Sequence, residues 1–154
     1  MVANLSAGKR GWDDRWEEFS KWAEKGQEVM GELLRLVDED TRAFNRIMEA
    51  YAMPKSSAEE IAARSAAIEE ATLNAAQVPL ETMKAAAKVL PIAEAMARDG
   101  NPNSASDAGV ASLAARAAIK GAALNVKINA ESLEDRCLAE KLIKQAEDIE
   151  ATLK

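Results

Sequence analysis

The chain has no histidine, a single cysteine (Cys137), one tyrosine and two phenylalanines in 154 residues. Without histidine there is no imidazole base, no Ser-His-Asp triad, no Cys-His pair and no His-ligated metal site. The Glu-x-x-His signature of di-iron bundles is excluded on the same ground. Acid–base chemistry then falls to Asp, Glu, Lys or Tyr51. A lone cysteine allows no internal disulfide, so a reducing cytoplasm is the expected location. The longest stretch free of charge is Ala71–Leu80, half of what a membrane-spanning helix needs. The first residues lack a basic region followed by an apolar run, so they do not read as a signal peptide. Glycines number 7 and prolines 4, so helix breakers are scarce.

What is present points to helix. Alanine, the strongest helix former, occurs 33 times, and no segment alternates polar and apolar residues as a half-buried strand would. The expectation is an all-α fold, a bundle of about five to six helices in a single domain over residues 1–154. The net charge of −6 argues against a nucleic-acid partner.

The punctuation divides the bundle. Trp12, Trp16 and Phe19 at helical spacing read as one core stripe, with a break expected near Gly26 and Gly31. A helix from about Glu28 to Met53 follows, with an apolar face of Leu33, Leu36, Val37, Phe44, Ile47, Met48 and Tyr51, stopped by Pro54. Ser57-Ala58-Glu59-Glu60 has the form of a capping box for a third helix ending near Gln77. Pro79 fits the first turn of another helix, and Pro91 should kink or restart it. Gly100-Asn101-Pro102-Asn103 is a loop. Ser104 to Asp107 has capping spacing before an Ala-rich helix to about Lys127, and Ser132 to Asp135 caps the last helix.

Four groups of residues can carry chemistry. Asp40 lies four residues from both Leu36 and Phe44, on the apolar face of its helix. A carboxyl buried there must be paired, hydrogen-bonded or protonated. It serves either as a general acid or as one half of a structural ion pair. Asp38, Arg42 and Asn45 share one flank, which is equally what a solvated face looks like. Asn101, Ser106 and Asp107 gather amide, hydroxyl and carboxylate at a helix start, where they bind a polar ligand or merely cap. Asn125 and Asn129 bracket an expected helix C-terminus, where Asn often caps.

An ordered set of segments resembles one family. Met1-Val2-Ala3-Asn4-Leu5-Ser6 with Gly8-Lys9-Arg10, and Leu36-Val37-Asp38-Glu39-Asp40-Thr41-Arg42-Ala43-Phe44-Asn45, are two of them. Met53-Pro54-Lys55, Val78-Pro79-Leu80, Gly100 to Ala111 and Asn125-Val126-Lys127-Ile128-Asn129 follow in order. Together they are similar to the cyclodeaminase/cyclohydrolase family, which includes the C-terminal domain of formiminotransferase-cyclodeaminase. The resemblance implies an enzyme of tetrahydrofolate one-carbon chemistry. It would convert 5-formiminotetrahydrofolate to 5,10-methenyltetrahydrofolate with release of ammonia. The alternatives are methenyltetrahydrofolate hydrolysis and an inactive helical folate-binding or oligomerisation protein.

The resemblance also implies a homo-oligomer, first of all a dimer, with no cofactor beyond the folate substrate and no metal. Carried onto this chain, Asp38, Asp40 and Asp107 are the catalytic candidates. Asn45, Asn101, Ser106 and Asn125 are substrate-binding candidates, and Lys9 and Arg10 would receive the folate's anionic tail. In the family a Gly- and Ala-rich helix precedes the Met-Val-Ala-Asn segment. The chain is therefore expected to be a form lacking that first helix, with an altered N-terminal path and weak turnover.

Overall fold

A computed structural model describes residues 1–7 and 13–153, and these are helical almost throughout. The elements are α1 (Val2–Ser6), α2 (Trp16–Ala52), α3 (Ala58–Ala87), α4 (Val89–Asp99), α5 (Ala105–Glu131) and α6 (Arg136–Ala151). Short 3-10 turns at Asp13–Arg15 and Pro102–Ser104 lead into α2 and α5. No strand occurs among the described residues. The all-α bundle read from the sequence is the observed one.

Local signals explain several boundaries. Pro54 follows directly on the end of α2. The Ser57 capping box forms in full: the Glu60 N–H donates to Ser57 Oγ, and Glu60 Oε2 accepts from the Ser57 N–H. Pro91 falls in the first turn of α4, where its missing N–H is not needed, and the helix restarts at Val89. Gly100 closes α4 because a Cβ there would sit on the Met96 carbonyl and 3.1 Å from Val2 Cγ1.

Other boundaries differ from expectation. Gly26 and Gly31 do not break the chain, and one 37-residue helix replaces the two expected. Its length, ~55 Å, lets packing along the whole bundle outweigh two glycine propensity costs. Pro79 sits inside α3 rather than starting a new helix. A proline at 79 leaves the Ala75 carbonyl without its helical donor. The Asn129 side chain on α5 fills that role, its Nδ2 donating to Ala75 O at 2.8 Å. Asn125 and Asn129 thus lie within α5, which runs on to Glu131 rather than ending near Lys127. Ser104 is buried and makes no side-chain cap. Asp135, not Ser132, caps α6, its Oδ1 accepting from the Leu138 N–H, while Ser132 Oγ donates back to Ile128 O.

Three cores hold the bundle. Met83 and Leu80 of α3, Ile119 and Val126 of α5, and Leu142 of α6 form one. Phe19 packs with Val2, Met96 and Ala108 in a second that joins α1, α2, α4 and α5. Leu36, Ala43, Ala75 and Val78 make the third, between α2 and α3. The many alanines at these contacts bring helix axes close together. Phe19 is fully buried, but Trp16 is exposed, and Trp12 lies outside the described residues. The expected apolar face of α2 splits in two. Leu36 faces the core with Leu33 and Ile47 against it, whereas Val37, Phe44, Met48 and Tyr51 are exposed.

Candidate active site

α2, α3 and α5 enclose a cavity of about 440 Å³. Asp40 and Thr41 reach it from α2, Pro79 and Thr82 from α3, and Asn125 from α5, over a floor that includes Leu36 and Ala122. Asp40 is the one ionisable group in this lining. Among the described residues neither Asp40 nor Asn125 makes a hydrogen bond or ion pair, so a carboxylate and a carboxamide are both free for a ligand. Thr41 Oγ1 donates to Val37 O at 3.2 Å, and Thr82 Oγ1 donates to Val78 O at 3.1 Å. With their protons committed, both hydroxyls offer lone pairs, the complement of a ligand's N–H groups.

The helices fix this arrangement. Thr82 lies one turn beyond Pro79 on α3, and Asn125 one turn before Asn129 on α5. The Asn129–Ala75 hydrogen bond sets α5 against α3 at that level. Asp40 is exposed rather than buried, because it lies between the core face of α2 and the outward row of Val37 and Phe44. The expectation of a buried carboxyl on the apolar stripe is corrected on that point.

Asp107 is not in this cavity. It lines a second one, of about 220 Å³, with Asn4, Trp22 and Met96. An apolar groove of about 300 Å³ lies between the two, sharing Met30 and Ile92 with the Asp107 cavity and Leu33 and Val37 with the Asp40 cavity. Asp40 and Asp107 therefore stand toward opposite ends of a groove that follows α2 from Trp22 to Thr41, ~28 Å by helix rise.

The remaining candidates separate from the site. Asp38 is exposed, 4.0 Å from Arg42. Asn45 and Ser106 are exposed and line neither cavity. Asn101 serves the backbone: its Oδ1 accepts from the Asn103 N–H, and its own N–H donates to Ser6 Oγ. Lys9 and Arg10 lie outside the described residues. Thr82 had no sequence signal beyond its rarity in an Ala-rich helix. Pro79 was visible only as punctuation.

A larger cleft, of about 700 Å³, opens between α2 and α3 near Arg46, Glu49, Glu70 and Asn74. Arg46 Nη1 donates to Asn74 Oδ1 there at 3.4 Å. Size favours this cleft. Chemistry favours the Asp40 cavity, whose lining carries a carboxylate and a carboxamide without a partner among the described residues and two hydroxyls with lone pairs left. Among the described residues no three His, Cys, Asp or Glu side chains cluster as a metal site would require, and no helix is long and apolar enough to cross a membrane.

Fold and site together define an all-helical protein with one carboxyl set among neutral polar groups in a cavity between helices. Residues 1–148 match the formiminotransferase-cyclodeaminase family, and the chain belongs to it. A methenyltetrahydrofolate cyclohydrolase of Methylorubrum extorquens is 40% identical over 97% of this chain and 72% of its own length. The formimidoyltransferase-cyclodeaminase of Mus musculus is 31% identical over 92% of this chain, which spans 26% of that longer protein. The crystal structure of a formiminotetrahydrofolate cyclodeaminase from Thermotoga maritima superposes with a TM-score of 0.83 at 29% identity, covering 99% of this chain and 72% of that one.

Proposed function

We propose that the chain is a folate-dependent one-carbon enzyme that hydrolyses 5,10-methenyltetrahydrofolate, with Asp40 as its acid–base group. The observation that carries this reading is the pairing of an unpartnered Asp40 with an unpartnered Asn125 across one small cavity. The methenyl carbon is an amidinium, cationic and electrophilic, and a carboxylate beside it stabilises the cation and orients water. Asp40 takes a proton from that water as its oxygen bonds to the methenyl carbon. The tetrahedral adduct then collapses with cleavage of one C–N bond: the Asp40 carboxylic acid returns the proton to the departing nitrogen, and the adduct's hydroxyl releases its remaining proton to solvent as the formyl C=O forms. Asn125 donates to the new oxygen, while Thr41 and Thr82 accept from the pteridine ring. The 40% identity to a methenyltetrahydrofolate cyclohydrolase supports hydrolysis over the alternative.

The second reading is cyclodeamination of 5-formiminotetrahydrofolate, favoured by the close superposition on a cyclodeaminase. The same groups serve it. N10 attacks the carbon of the protonated formimino group, an amidinium, Asp40 accepts the proton lost from N10, and Asp40 returns it to the resulting amino group, which leaves as ammonia with formation of the cationic methenyl bridge. In both readings the active unit is a homo-oligomer, in the first place a dimer, in the cytoplasm.

The deciding experiment gives the purified protein each substrate in turn. Loss of methenyl absorbance faster than the buffer reaction supports the first reading. Gain of that absorbance with stoichiometric ammonia supports the second. Saturable binding of 5-formyltetrahydrofolate without turnover of either substrate refutes both and leaves a folate-binding bundle.

A further inference from the structure

α3 and α5 meet through small and apolar side chains. Ala76, Leu80, Met83 and Ala86 of α3 share one core with Ile119, Ala122, Ala123, Val126 and Ala130 of α5. Such contacts bring the two helices close, but they are non-directional, and alanine against alanine resists axial sliding weakly. Among the described residues one hydrogen bond joins α3 to α5, from Asn129 Nδ2 to the Ala75 carbonyl at 2.8 Å. A hydrogen bond is directional, so this one holds the two helices in a single register.

The bond stands beside the candidate site on both helices. Pro79, whose ring leaves the Ala75 oxygen without its helical donor, lines the Asp40 cavity itself. Asn125 lines the cavity from α5, four residues before Asn129 and on the same helix face. Asn129 is not part of the lining. A slip of one residue between α3 and α5 would carry Asn125 ~1.5 Å along the cavity relative to Thr82.

We propose that Asn129 is a positioning residue for the one-carbon reaction: by holding the Ala75 carbonyl it keeps the Asn125 carboxamide in place beside a substrate held at Asp40. Asn129 touches no reacting atom and acts through Asn125. The role rests on the functional reading above, in which Asn125 donates to the oxygen that forms on the one-carbon unit. A donor to an oxygen that forms only in the transition state lowers the barrier without tightening substrate binding. Its displacement is therefore read in kcat, with KM little changed.

Steady-state kinetics, run well below the unfolding temperature of each variant, test the role. Asn129→Leu should lower kcat about 10–100-fold, the scale of loss that a misplacement of about 1 Å brings. Pro79→Ala gives the Ala75 oxygen a backbone donor, and the second lone pair of that oxygen still accepts from Asn129. Adding Asn129→Leu to Pro79→Ala should therefore cost little stability yet lower kcat by the same factor. In Asn125→Ala, which lacks the group being positioned, Asn129→Leu should lower kcat by less than ~2-fold.

Wild-type kcat in Asn129→Leu, or recovery of kcat together with stability in the Pro79→Ala background, overturns the role and leaves a purely structural bond. A loss confined to KM overturns it as well. An undiminished further loss in the Asn125→Ala background overturns action through Asn125. Full turnover of both Asn125→Ala and Asp40→Asn, or a parent that turns over neither substrate, refutes the functional reading itself, and the role falls with it.

Discussion

The bond between Asn129 and the Ala75 carbonyl should behave as a replacement for the backbone bond that Pro79 removes. Ala75 is 8% exposed, and Asn129 Nδ2 donates to its oxygen at 2.8 Å. Asn129→Leu keeps the side chain's size and deletes the donor, leaving a buried carbonyl with neither a helical N–H nor an amide partner. An unsatisfied buried acceptor costs about 1–3 kcal/mol. For a chain of this length about 2 kcal/mol lowers Tm by roughly 4–8 °C. Pro79→Ala supplies a backbone N–H to the same carbonyl and relieves the helix interior of proline. In that background Asn129→Leu should cost under ~1 kcal/mol, a coupling of about 1–2 kcal/mol between two residues on different helices. Calorimetric or urea unfolding of the wild type, both single variants and the double variant measures it. Equal costs of Asn129→Leu in the two backgrounds would show that proline and asparagine do not share the Ala75 oxygen.

Asp40→Asn should retain helicity and change stability by less than ~0.5 kcal/mol, because the side chain is exposed and unpartnered. Its turnover should fall by about 10²–10⁴, read in the methenyl assay, and near-full activity would move the acid–base role elsewhere. Ser57→Ala removes the acceptor 3.2 Å from the Glu60 N–H and should cost about 1 kcal/mol in thermal unfolding. Phe19→Ala, at a fully buried position, should cost about 3–5 kcal/mol by urea titration. Hydrogen bonds from Arg15 hold the Glu18 carboxyl below the usual carboxylate range, and Arg98 does the same for Asp99. A folded-state pKa below the unfolded one stabilises above that range, and the contribution is lost as the pH falls through it. Tm of the wild type should therefore drop more steeply than that of Arg15→Gln below pH ~4, modestly and less so in salt. Parallel curves would refute it.

The sequence displayed what is decided locally. Pro54, the Ser57 box and the Gly100 loop act through neighbouring atoms, and each stands where its chemistry puts it. What it concealed is decided by contacts between helices. Pro79 reads as a boundary because nothing nearby reveals that Asn129, 50 positions away, will satisfy the carbonyl it orphans. Gly26 and Gly31 read as a break because propensity ignores the packing of a long helix. Of the site, Asp40 and Asn125 were legible and do converge, whereas Thr82 and Pro79 enter through topology. Asp107 shares its motif with a helix start, and the fold sends it to the far end of the groove. Asp40 looked buried because the periodicity of α2 combines two apolar faces, one against the core and one turned outward.

A crystal structure of the protein with 5-formyltetrahydrofolate tests the central claim most directly. The folate should lie in the cavity of α2, α3 and α5, its ring or one-carbon group within hydrogen-bonding distance, ~3 Å, of Asp40 and Asn125. A folate seated instead in the larger cleft beside Arg46 and Asn74, with the Asp40 cavity empty, would contradict it.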